Sequence, residues 1–303
     1  MSFKKQYFLC NLCQQSSMYE DLKNNIDFII KNKKCELNND EKNFMIICYK
    51  NLINKYRESI IFLNEKLLNE KNNIYKEYIT EYKNKLILQL FEFINGLIVN
   101  LNKLVQNSKE KENRILYYKL IGDYYRYICE YYDEEIFNEK KKSKKENNNE
   151  EKKQNSDNNN INNENKSENI IKNKESTNSI NENNNLNNNK ENNNEEKYIK
   201  LAIENYEKSI NLCDEISYKN SLKLELLLNI SVFYYEILQD KEMAITISKE
   251  TLDNAKIAFR DIDEENEEYK ISINIINILS ENLEIWSKED NFEFYHSNFY
   301  KLN

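Results

Sequence analysis

Asn39-Asp-Glu-Lys-Asn-Phe44-Met-Ile-Ile47-Cys48-Tyr-Lys50-Asn-Leu52-Ile-Asn-Lys-Tyr56-Arg57 is the stretch whose periodicity decides the fold. Phe44, Ile47, Cys48, Leu52 and Tyr56 recur every three or four residues, the spacing that lines one face of an α-helix. Asn39-Asp40 carries the short polar side chains that cap a helix start, so a helix is predicted over 39–70. Working outward, helices are predicted near 4–16, 18–33, 74–106 and 110–135. After a polar gap, Ile199, Ala202, Ile203, Tyr206, Ile210 and Cys213 hold helical period. Further helices follow near 218–238, 241–259 and 266–287, with Asp240 as the cap of the second of these three.

Composition agrees with that reading. The 303 residues contain no Pro and two Gly, Gly96 and Gly122, which disfavours the tight turns of an all-β fold. With 39% hydrophobic residues the chain can bury a large core. The expected class is all-α, with about nine antiparallel helices forming a concave groove, and no 34-residue repeat recurs. From 138 to 194 the chain is almost entirely Asn, Lys, Glu and Ser, with Ile161, Ile170, Ile171, Ile180 and Leu186 as scattered exceptions. Such a segment cannot offset its ordering entropy, so it is read as a disordered insert within one domain. The expected division is 1–137 as an N-terminal helical half, 138–194 as the insert, 195–288 as a C-terminal half and 289–303 as a tail.

The formal charge is −8, from 44 basic and 52 acidic residues, a poor footprint for nucleic acid or an anionic membrane. Leu86–Val99, the longest apolar-rich run, is interrupted by Gln89, Glu92 and Asn95 and is too short to span a bilayer. Met1-Ser2-Phe3-Lys4-Lys5 leads into an amphipathic stretch, unlike a signal peptide. Cys10, Cys13, Cys35, Cys48, Cys129 and Cys213 are scattered, and reduced thiols of a cytosolic protein are the simpler account. Cys10-x-x-Cys13 could open a zinc site, but no second pair follows and the sole histidine is His296. A cytoplasmic location is expected, with the nucleus as the alternative.

No nucleophile–base arrangement, phosphate-binding glycine loop or metal cluster is apparent, so no enzyme activity and no cofactor are expected. Lys50 and Arg57 are two helical turns apart and share a face, while Arg126 and Tyr127 sit on another helix. Two guanidinium forks, an ammonium and a phenol can surround a phosphate dianion. Asn229, Val232 and Glu236 share one helical face, and Ile275, Ile278, Asn282, Ile285 and Trp286 form a second stripe. Trp286 can pack apolar surface and donate its indole N–H.

Four runs then carry a resemblance: Asn43 to Asn51, Gly122-Asp-Tyr-Tyr-Arg126-Tyr127, Leu228-Asn229-Ile-Ser-Val232-Phe-Tyr-Tyr-Glu236-Ile-Leu, and Asn282-Leu-Glu-Ile-Trp286. Their order and spacing resemble the 14-3-3 family over nearly all of the chain outside the insert and the last ~15 residues. The resemblance implies a non-enzymatic adaptor that binds phosphorylated client proteins, with Lys50, Arg57, Arg126 and Tyr127 holding the phosphoryl group. It implies that Asn229, Asn282, Glu236 and Trp286 hold the ligand backbone. Leu228, Val232, Ile275, Ile278 and Ile285 would form the apolar wall. It also implies homo- or heterodimers through Leu12, Met18, Tyr19, Asp21, Tyr78, Glu81, Lys85 and Leu86.

Several positions depart from the family pattern. Ile61 stands where a second basic residue is usual, and Glu58 could draw the Arg57 guanidinium away. Glu225 replaces a usual Gly and Asn274 a usual apolar residue. Asp21 would face Glu81 where the family pairs an acid with a Lys, and the pair at Met18 and Lys85 is lost. Phe292, Phe294, Tyr295, Phe299 and Tyr300 give the tail an aromatic character that could cover apolar surface. The rival reading is a helical scaffold that binds partners without phosphate.

Overall fold

The computed structural model describes residues 3–33, 35–133, 194–260 and 267–288, and every regular element among them is an α-helix. In chain order these are α1 (Phe3–Gln15), α2 (Tyr19–Asn32), α3 (Asn39–Asn69), α4 (Asn73–Asn107) and α5 (Lys111–Glu130). Then come α6 (Asn194–Cys213), α7 (Ser221–Glu236), α8 (Lys241–Ala258) and α9 (Glu267–Lys288). The described residues up to 132 and from 197 to 288 form one compact unit. Of the expected insert 138–194, all but residue 194 lies outside the described residues, as does the tail 289–303 with His296.

Apolar spacing sets how the first helices pack. Leu22, Ile26, Ile29 and Ile30 of α2 are buried at helical period. So are Ile87, Leu90, Phe91, Ile94, Leu97, Ile98, Leu101 and Leu104 of α4. Helix α3 packs against α1, α2 and α4. Its buried face is therefore wider than the predicted stripe: Phe44, Cys48 and Leu52 are buried, but so are Met45, Tyr49, Ile53 and Ile60. Ile47 and Tyr56 are only half-buried. Tyr49 satisfies its hydroxyl by donating to Asp27 Oδ1 at 2.8 Å, and Asn100 donates to the same oxygen at 3.0 Å.

Two sequence expectations need correction. Asn38, rather than Asn39-Asp40, caps α3: its side chain accepts from the Glu41 N–H while Glu41 accepts from the Asn38 N–H. Asn39 is already helical, so its side chain is one position too late for that role. Helix α5 ends at Glu130 rather than 135, because the Tyr131 and Tyr132 N–H groups turn back three residues to Ile128 and Cys129 and tighten the last turn. Asp240 caps α8 as predicted, accepting from the Met243 N–H at 3.0 Å. With so little Gly available, the chain places Ser17 and Gln239 in the left-handed region, at φ 57° and 54°, to turn between helices.

In the second half, Ile115 of α5 joins Ala202, Tyr206 and Cys213 of α6 and Leu226, Ile230 and Phe233 of α7 in one core. Leu228, Leu252 and Leu279 bring α7, α8 and α9 together in another. No described helix is long and apolar enough to cross a membrane. Cys10, Cys48, Cys129 and Cys213 are buried and form no disulfide among the described residues, and burial pushes Cys10 and Cys48 up to about 12. No group of His, Cys, Asp and Glu among the described residues could hold a metal ion.

Candidate functional site

Helix α5 is the spine of the site. Lys119, Asp123, Arg126, Tyr127 and Glu130 recur at three- and four-residue intervals and so lie along one flank of it. Gly122 explains why the flank can pack so closely on α6. A Cβ there would sit 2.7 Å from Cδ1 and Cε1 of the Tyr206 ring. The close approach lets the Tyr206 hydroxyl donate to Asp123 Oδ1 at 2.8 Å. Asn229 Nδ2 donates to that same oxygen at 2.8 Å, and Lys119 Nζ lies 3.1 Å from Oδ2. The buried carboxylate is thereby fully partnered, and α5, α6 and α7 are pinned to one another.

One pair of turns further along α5, the cationic residues converge. Arg57 and Arg126 are 8% and 3% exposed, and their guanidinium carbons lie 4.6 and 4.5 Å from the centre of the Tyr127 ring. The structure thus brings together three of the four residues expected to hold phosphate. Lys50 is exposed on α3, about 10 Å from Arg57 by helical rise. Arg57 Nη2 donates to Glu130 Oε1 and Oε2, both at 3.3 Å. Arg126 Nη1 lies 3.5 Å from Glu236 Oε2. Burial works against both guanidinium charges, but Glu130, Tyr127 and Tyr131 around Arg57, and Tyr127, Tyr206 and Glu236 around Arg126, raise their pKa values further. Burial pushes the Glu236 carboxyl up to about 7; Arg126 opposes that shift and Glu130 adds to it.

Glu130 had not been foreseen as the partner of Arg57, and Glu58 is exposed. Adjacent residues on a helix point some 100° apart, so Glu58 cannot share the inward face of Arg57. The spacing of Glu130 four residues after Arg126 was the available signal. Asp123 stood inside the quoted motif, and Lys119 precedes it by one turn, yet their mutual contact was not read.

The expected ligand-backbone and apolar residues are only partly gathered. Asn229 is buried with one amide N–H held by Asp123; a carboxamide keeps a second N–H and a carbonyl oxygen. Leu228 is buried in a cluster that Val232, Ile275 and Ile278 join as half-buried members. Asn282 and Ile285 are half-buried on α9, and Asn274 is exposed. Trp286 is 5% exposed and stacks on Tyr235, with ring centres 4.6 Å apart and planes at 14°. Its ring thus joins α9 to α7.

The expected dimer residues belong to α1, α2, the turn between them and α4. Leu12, Met18 and Tyr78 are exposed, as are Asp21, Glu81 and Lys85, while Tyr19 and Leu86 are half-buried. Phe8, one turn before Leu12, and Tyr82, one turn after Tyr78, extend the exposed apolar band and had not been singled out. A cleft of about 330 Å³ between α4, α5 and α6, lined by Gln106, Tyr118, Tyr125, Asn205 and Lys208 among others, shares no residue with the arginine cluster.

Fold and site together define a class: an all-α protein with two buried arginines on one aromatic ring and with amide and apolar side chains on α7 and α9. A profile described as 14-3-3 protein matches residues 9–171 and 183–287, and the chain belongs to the 14-3-3 family. It is 25% identical over 287 residues to 14-3-3 protein I of Plasmodium falciparum, covering 92% of this chain and 87% of that one. It is 26% identical over 283 residues to 14-3-3 protein homolog 2 of Echinococcus granulosus, covering 93% and 90%. A third relative, the checkpoint signal transducer rad24 of Schizosaccharomyces pombe, is 25% identical over 287 residues, covering 93% and 84%. Identity at this level marks a divergent member.

Proposed function

We propose that the protein is a phosphoserine- or phosphothreonine-dependent adaptor that clamps phosphorylated client proteins and catalyses nothing. The observation that carries this reading is the pair of buried guanidiniums on Tyr127. Arg126 Nη1 is 3.5 Å from Glu236 Oε2, and its Nε is buried with no hydrogen-bond partner among the described residues. Buried donors of this kind are strong attractors of a dianion. Lys50, two turns before Arg57 on α3, would add a third cation to the two arginines that face Glu130 and Glu236. An extended ligand would then meet Asn229 and Asn282 with its backbone, aided by Glu236 and Trp286. Leu228, Val232, Ile275, Ile278 and Ile285 would meet its side chains. The exposed band of Phe8, Leu12, Met18 and Tyr78 would pair with a second 14-3-3-like subunit.

The experiment is a calorimetric titration of one phosphopeptide against its unphosphorylated twin. Phosphate-dependent binding supports the adaptor reading, and equal binding overturns it. One observation favours a second reading, a phosphate-independent scaffold: Glu130 and Glu236 already sit on the two arginines as internal anions. Equal affinity for the two peptides is the outcome that reading requires.

A further inference from the structure

Helix α3 carries Lys50, Asn54, Arg57 and Ile61 at steps of four, three and four residues. At about 100° per residue these four fall within roughly 60° of one another, so they make one stripe along the flank that brings Arg57 to the Tyr127 ring. Asn54 lies between the two cations, about 6 Å from Lys50 and about 4.5 Å from Arg57 along the helix axis. It is half-buried, and its carboxamide has no hydrogen-bond partner among the described residues. Other helical asparagines are satisfied locally. Asn51, Asn102 and Asn205 each donate to the carbonyl four residues back, at 2.7, 2.9 and 2.8 Å. An Asn inside a helix is less favourable than Ala, and at Asn54 no such bond offsets that cost.

From this geometry we infer that Asn54 is a further phosphate-contacting residue, donating an amide N–H to a phosphoryl oxygen of the bound client. The inference rests on the phosphosegment reading and adds an uncharged donor to its anion site. A dianion drawn by Lys50 from one side and by Arg57 and Arg126 from the other settles in the interval between them, where α3 presents Asn54. The carboxamide suits that place. Arg57 and Arg126 each face an internal carboxylate, Glu130 and Glu236, that competes with an incoming phosphate. Asn54 has no such competitor among the described residues, and both of its N–H groups are open to a ligand. Ile61, one turn beyond Arg57, has no polar side-chain atom, so Asn54 is the neutral donor of the stripe.

The test uses the full chain and a phosphoserine peptide with alanine and glycine flanks, titrated by calorimetry beside its unphosphorylated twin. Asn54→Ala should bind the phosphopeptide about tenfold more weakly, the loss of one hydrogen bond to a charged group, and the twin no differently. Its thermal midpoint should not fall, because Ala is the better helix former, and this separates a ligand contact from a structural one. Asn54→Asp keeps the shape but sets a carboxylate against the phosphoryl group. It should lose more affinity than Asn54→Ala does, and the excess should shrink in high salt. Three outcomes overturn the inference while the phosphate dependence of the wild-type chain stands: undiminished phosphopeptide affinity in Asn54→Ala, a loss that comes with a lowered midpoint, or equal losses in the Ala and Asp variants. Equal binding of the two peptides by the wild-type chain overturns the adaptor reading itself, and this inference with it.

Discussion

Arg126 is the residue on which the proposed site turns. Arg126→Ala should weaken phosphopeptide binding by about 2–5 kcal/mol, tens- to thousands-fold, as truncation of a buried charge partner does. The fold should survive, because Glu236, already pushed up to about 7, can take a proton when its partner is gone. Calorimetry with circular dichroism checks both halves, and wild-type affinity in the variant would remove the pocket from the argument. Glu236 should also make that binding pH-dependent. Its carboxyl faces Arg126, Glu130 and Arg57, and proton uptake there leaves Arg126 uncompensated. Affinity should therefore rise as pH falls from about 8 to about 7, above the range near 6 where the phosphate protonates. Anisotropy titrations of wild type and Glu236→Gln at constant salt decide this; an unchanged slope in the variant would assign the effect elsewhere.

At the scale of elements, two contacts hold α5 in place. Gly122 has no room for a methyl group against the Tyr206 ring, which is 3% exposed and tied by its hydroxyl to Asp123. Gly122→Ala gains helix propensity but overpacks this contact, and a net loss of about 1–3 kcal/mol is expected in urea unfolding. Glu36, between α2 and α3, secures the start of α5. Its Oε1 accepts from Ser108 Oγ at 3.0 Å and from the Lys109 and Glu110 N–H groups, and its Oε2 accepts from Asn113 Nδ2 at 2.7 Å. Those bonds, the Lys109 N–H foremost, hold the carboxyl down at about 2 from an ordinary 4.5. A lowered acid stabilises the fold above its unfolded value and loses that contribution as pH falls through the folded one. The stability gap between wild type and Glu36→Gln should thus be full above about pH 5 and close toward pH 2. A gap that stays constant over that range would mean that Glu36 acts by packing alone.

For the whole molecule, the exposed band of Phe8, Leu12, Met18, Tyr78 and Tyr82 predicts self-association, and the charges around it predict that the dimer is weak. Asp21 and Glu81, both exposed, would face each other across the interface as like charges. Screening relieves such a contact, so dimer affinity should rise with NaCl. Sedimentation equilibrium at low and high salt reads this directly. Affinity that falls with salt would instead indicate that Glu20 and Lys85 form attractive pairs. A partner subunit with Lys opposite Asp21 would restore attraction, which favours heterodimers.

The sequence by itself determined the helices, the identity of the arginines and the family. Apolar period, capping residues and motif order are local properties, and each is written within a few turns of one helix. Only the tertiary structure decided which charges meet. Arg57 is closed by Glu130, 73 residues away, rather than by its neighbour Glu58, and Asn229 is fixed by Asp123, 106 residues away. The wider buried face of α3 likewise follows from its packing on α1, α2 and α4. Helical period gives the direction of a side chain from its own axis, but a charge is paired by whatever another helix places there, and that depends on how the axes pack.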